Sequence, residues 1–183
     1  MKRRQALKLT SIAVGGSIVG AELFLAGCKN NTLDSVLFSE EVLALLDEIG
    51  ETILPETERS PGAKAAKIGL FMQQMVTDCY AEEEQQIFMK GIHTLNNTSI
   101  DKYSRGFLEL NSKEKLDLLL RYDEEAKKRG AEEAPHFFTL MKQLTILGYF
   151  TSEPGATQAL RYIPTPGKFV GCLPYKKGDR AWA

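Results

Sequence analysis

The chain has only two histidines in 183 residues, His93 and His136, and neither has a second His or a Cys at metal-ligand spacing. Its three cysteines, Cys28, Cys79 and Cys172, fall short of the four thiolates an iron–sulfur cluster ordinarily takes. No C-x-x-C-H run offers haem a covalent attachment. No G-x-x-x-x-G-K-[ST] loop, strand-borne G-x-G-x-x-G or G-x-S-x-G elbow occurs. Glu82, Glu83 and Glu84 are consecutive, so they fan around a helix instead of converging as paired carboxylates. Lys and Arg are interspersed with Asp and Glu, without the clustered cations that nucleic acid requires. Strand-like alternation is nearly missing. On its residues alone, the chain is expected to hold no metal or cofactor, to carry no catalytic residues and to bind no nucleic acid.

The first 27 residues carry an address. Lys2 to Lys8 form a basic start, and an apolar run from Leu9 ends in "LAGC", Leu25 to Cys28. This is the plan of a removable secretory signal. A permanent membrane span is a poor fit, because the run is short, rich in Gly and Ser, and interrupted by Glu22. "LAGC" resembles a bacterial lipobox, which makes Cys28 the candidate lipidation site and tethers the mature chain to a membrane. "RRQALK" resembles the twin-arginine export consensus through Arg3, Arg4, Leu7 and Lys8, with Ala6 where a larger apolar residue is usual. That route carries folded cargo, and nothing later in the chain looks like a cofactor site that would call for it. The expected location is the bacterial cell envelope, anchored on the periplasmic side. Residues 28–38 read as a polar tether and residues 39–183 as one domain, large enough to bury a core.

Helical spacing recurs through that domain. Ser39 is a candidate N-cap, followed by Val42, Leu45, Leu46, Ile49 and Ile53, and Pro55 stops the run. Ser60 and Pro61 are expected to open a second helix with Ile68, Phe71, Met72, Met75, Val76 and Cys79 on one face. A third carries Ile87, Phe88, Ile92 and Leu95 inward and is expected to break at "NNTS", Asn96 to Ser99. Asn111 and Glu114 form a capping-box pattern, with Ser112 an alternative cap, ahead of Leu116, Leu119 and Leu120. Pro135 is expected to begin a central helix through Phe137, Leu140, Met141, Leu144 and Leu147, apolar nearly all round. A short helix is expected near Pro154–Leu160. From Ile163 onward Pro and Gly forbid long elements. The fold class is therefore all-α: a bundle-like domain of about five helices with an extended Pro/Gly-rich C-terminal arm.

The arm region is crowded with aromatics, which either fold back on their own domain or anchor another protein. Tyr149, Phe150, Ser152, Tyr162 and Trp182 are the candidate partner contacts. Cys79 and Cys172 are either a disulfide, as an exported chain permits, or a core residue and a loop thiol.

Two stretches carry a resemblance. "ILP" at Ile53–Pro55 with "PGA" at Pro61–Ala63, and "GYFTSEPG" at Gly148–Gly155 running into Leu160, Tyr162, Pro166 and Gly167, are similar to the gluconate 2-dehydrogenase subunit 3 family, over roughly Phe38 to Pro174. The resemblance implies a non-catalytic small subunit. Its partner would be a glucose–methanol–choline-type flavoprotein holding FAD, accompanied in some complexes by a c-type cytochrome with its haem. It further implies that the twin-arginine signal serves the flavoprotein, which would be the missing folded cargo. The competing expectations are a free-standing envelope lipoprotein acting as a binding module, and an independent enzyme.

Overall fold

Ser39 opens the first helix, its hydroxyl accepting from the Val42 amide at 3.4 Å. The computed structural model describes residues 38–130, 133–165 and 167–182. Arg3, Arg4, Leu7, Lys8 and Cys28 lie outside the described residues, as does Pro166. Helix α1, Glu40–Ile53, begins with two acidic residues in its positive first turn and buries Leu45, Leu46 and Ile49. Leu54 closes it, donating to the Gly50 carbonyl at 2.8 Å, and Pro55 follows. Phe38, at the end of the expected tether, is buried in the core.

The second helix starts later than the sequence predicts. Ser60 is occupied in a turn with Thr57, their hydroxyls 3.1 Å apart. A 3₁₀ turn, Ala63–Ala66, comes next, and Lys67 adopts a left-handed φ of 52°. Only then does α2, Ile68–Cys79, begin. The loop is held from α1: the Glu51 carboxylate accepts the amides of Glu56 at 2.8 Å and Lys64 at 2.9 Å. Ile68, Met72 and Val76 are buried as the spacing predicts, whereas Cys79, the last residue of the helix, is exposed.

Helix α3, Glu82–Tyr103, does not break at Asn96–Ser99. Thr98 donates back to the Thr94 carbonyl at 2.8 Å, an i−4 bond compatible with the helix, while Asn96 and Ser99 reach beyond its end. Asn96 accepts the Phe107 amide at 3.1 Å, and Ser99 donates to the Arg105 carbonyl at 2.8 Å. The Thr98 hydroxyl lies 2.7 Å from Tyr122 Oη. After a 3₁₀ turn, Phe107–Glu109, comes α4, Ser112–Lys127. Its capping box forms as predicted: Asn111 accepts from the Glu114 amide at 2.9 Å, and Glu114 from the Asn111 amide at 3.0 Å. Its buried face is Lys115, Leu118, Leu119 and Tyr122; Leu116 and Leu120 point to solvent. The expected face is rotated by one residue because Lys115 lays its stem along the core and reaches Glu48 of α1 at 2.7 Å.

Helix α5, Phe137–Thr151, packs against all four others and is the centre of the bundle. It starts two residues after Pro135, at a cap made by His136. Phe137, Leu140, Met141 and Leu144 are buried, while Leu147 is exposed. A single π-helical turn, Gly155–Ala159, stands where a short helix is expected. The domain is all-α with five α-helices, and the described residues contain no strand, only isolated bridges at Thr57–Ser60 and Arg161–Trp182.

Candidate functional site

The end of α5 and the arm beyond it gather the residues singled out as candidate contacts. Tyr149 is 3% exposed, its ring edge-on to Phe150 at 5.1 Å and its hydroxyl donating to the Pro61 carbonyl. It therefore clasps α5 to the loop after α1 and is not available to a partner, which corrects its place among the contacts. Phe150 is half-buried against the core. Ser152 caps α5 and joins it to the next turn: its hydroxyl donates to the Tyr149 carbonyl at 2.6 Å and accepts from the Gly155 amide at 3.2 Å. Both of its hydrogen-bonding roles are used within the chain, so it too is structural.

Tyr162 and Trp182, about half exposed, remain on the surface. They belong to a closed loop. The Arg161 amide donates to the Ala181 carbonyl at 2.8 Å, and the Arg161 guanidinium lies over the Trp182 ring at 4.6 Å. Arg180 then donates to the Arg59 carbonyl at 3.1 Å, tying the base of the loop to the segment after α1. A tight turn runs from Lys176 to Asp179, with Gly178 at φ +97°. Between these ties Ile163, Val170, Leu173 and Trp182 border an open, largely apolar surface depression, and Phe169 projects into solvent beside it. Val170 and Leu173 were not among the sequence candidates, because a Pro/Gly-rich stretch has no period from which to read a face.

The titratable groups of the domain are engaged in building it. His136 is buried at the start of α5, its Nδ1 accepting the Phe138 amide at 3.2 Å. Burial, then the nearby Arg129 charge, push its pKa below the ordinary 6.5, against a smaller opposing pull from Glu125. Burial would raise the Glu48 carboxyl, but hydrogen bonds from Lys115 and Lys64 outweigh it and hold Glu48 below its ordinary range. Asp123 joins α4 to α5 through Lys142 at 2.5 Å, and hydrogen bonds from Lys127 and Lys142 lower its pKa.

Among the described residues, no three of His, Cys, Asp and Glu gather where they could hold a metal ion. No described helix is long and apolar enough to cross a membrane. Cys79 and Cys172 are both free and exposed, one at the end of α2 and the other in the arm.

Residues 40–167 match the family model described as Gluconate 2-dehydrogenase subunit 3. The match runs from the start of α1 to the first part of the arm. No curated protein and no solved structure matches the chain.

Proposed function

The chain belongs to the gluconate 2-dehydrogenase subunit 3 family, and from that membership we propose that it is the non-catalytic small subunit of a gluconate 2-dehydrogenase-like complex. Its role is to assist the export, maturation and membrane tethering of an FAD-containing dehydrogenase that oxidises a sugar, sugar acid or polyol. The observation that carries this reading is the family match, which takes in all five helices of the domain. The N-terminal pattern supports it. Arg3, Arg4, Leu7 and Lys8 supply an address for folded cargo, and Cys28 supplies a lipid anchor on the periplasmic side. FAD belongs to the partner, a glucose–methanol–choline-type flavoprotein, and a c-type cytochrome would take the electrons onward.

The test is co-purification. The tagged full-length chain, co-expressed with a candidate glucose–methanol–choline-type flavoprotein of the same genome and solubilised from membranes, is expected to bring down a yellow protein with a flavin spectrum. A colourless single chain from those cells overturns the reading in favour of a free-standing lipoprotein.

A further inference from the structure

The loop from Arg161 to Trp182 differs from the rest of the domain in two independent ways. The first is how its apolar side chains are displayed. Phe169 is 96% exposed and Tyr175 76%, and Ile163, Val170, Leu173 and Trp182 are about half exposed, whereas the large apolar residues of the helical core are sealed from water. All of these but Tyr175 lie at or beside one open depression, so they form a contiguous patch. The loop is also held in place, since Arg161, Ala181, Trp182 and Arg180 close its base and tie it to the segment after α1. The second difference is charge. Arg161, Lys168, Lys176, Lys177 and Arg180 stand against Asp179 alone, a net of +4, while residues 38–160 carry 21 acidic and 13 basic side chains, a net of −8. Lys168, Lys176 and Lys177 take part in none of the ion pairs among the described residues.

Such a patch fits a soft interface. The depression is open and Phe169 stands out beside it, so the loop offers no mould for a partner of fixed shape. A bilayer interface asks for no such mould. It takes projecting Phe, Leu and Val side chains into the acyl boundary and holds Trp and Tyr at headgroup level. Lysines lay their alkyl stems along the apolar side and keep their ammonium groups among the phosphates. Charge then sets the orientation. Anionic headgroups attract the cationic loop and repel the acidic body, which turns the loop toward the lipid. The family match ends at Gly167 and assigns nothing to Phe169, Leu173, Tyr175 or the lysines after it.

We propose that this loop is a membrane-contact surface for a bilayer carrying anionic phospholipid. Phe169, Val170, Leu173 and Trp182 enter the interface, and Lys168, Lys176 and Lys177 meet the headgroup phosphates. The contact is separate from the lipid tether proposed at Cys28, and it does not depend on the identity of any partner subunit.

Trp182 is the one tryptophan of the chain, so its emission follows the loop whatever the N-terminal segment binds. In the test, the full-length chain is incubated with vesicles of phosphatidylcholine and phosphatidylglycerol in equal parts, with or without bromine on the acyl chains. Bromine is expected to quench Trp182 at least about twofold, because interfacial burial of about 5–10 Å brings the ring to the acyl boundary. The double variant Phe169→Asp/Leu173→Asp is expected to lose this quenching, with an unchanged helical circular dichroism spectrum. The variant Lys176→Glu/Lys177→Glu is expected to lose the preference for these vesicles over pure phosphatidylcholine, and added salt is expected to weaken that preference in the unaltered chain. The control Leu116→Ala/Leu120→Ala, altered at exposed leucines of α4, is expected to be quenched like the unaltered chain. No quenching of the unaltered chain, equal quenching of the Asp variant, or an equal loss in the α4 control overturns the proposal. So does shielding of Trp182 from aqueous acrylamide by a second copy of the chain or by a flavoprotein but not by vesicles, which would assign the loop to a protein.

Discussion

His136 caps the central helix with an imidazole, a use open only to the neutral ring. Protonated Nδ1 would face the Phe138 amide as a second donor, at the positive end of α5. The unfolded chain therefore takes this proton more readily than the folded one. Stability from His136 is complete above its ordinary pKa of 6.5 and falls as pH drops from there through the lowered folded value. Urea denaturation between about pH 8 and 5 is expected to show this loss. His136→Asn, which keeps a capping acceptor without the titration, is expected to flatten that part of the profile. His136→Ala is expected to cost about 1 kcal/mol at neutral pH. An unchanged slope in the Asn variant would assign the titration elsewhere. Glu48 acts in a separate, more acid window. Its lowered pKa contributes stability above the ordinary carboxylate value of 4.5, lost as pH falls through the folded value.

At the scale of elements, α5 lies close to its neighbours because two glycines make room for aromatic rings. A Cβ on Gly91 of α3 would fall 2.4 Å from Phe137 Cβ, and one on Gly148 of α5 would meet the Phe71 ring of α2 at 2.5 Å. Alanine in place of Gly91 gains about 1 kcal/mol of helix propensity. Overpacking wins, because the clashing atom is the first of the Phe137 side chain and cannot move unless α5 moves. Gly91→Ala is expected to destabilise the domain by about 1–3 kcal/mol net, read from the urea midpoint; a midpoint at or above that of the unaltered chain would contradict this. Helix existence was legible in the three- and four-residue apolar spacing, which holds for α1, α2 and α5. Helix boundaries and the face of α4 were less so. The partners of Asn96, Thr98 and Ser99 sit on other segments, and Lys115 reads as a surface residue until Glu48 is seen to receive it.

For the whole molecule, the proposed role rests on an address at the N-terminus joined to a helical domain of the family. If the small subunit carries its partner through the membrane, replacing Arg3 and Arg4 with Lys should strand both chains. Dehydrogenase activity is expected to move from the periplasmic side to the cytoplasm on fractionation, with the flavoprotein still folded. Export of the flavoprotein at the normal level would sink the carrier role.

The all-α class, the capping box at Asn111, the stop at Pro55 and the family resemblance all follow from the sequence, because spacing, caps and breakers are local properties of the chain. The tertiary structure alone decided which candidates are free to meet a partner. Tyr149 is a clasp on Pro61 and Ser152 a link between two turns, while Tyr162 and Trp182 stay on the surface. For Ser152 the ties are local, three residues to either side, but for Tyr149 the difference lies in a contact between residues far apart in the chain. Tyr149 and Pro61 are 88 positions apart, so no local pattern around Tyr149 could show that its hydroxyl was already taken.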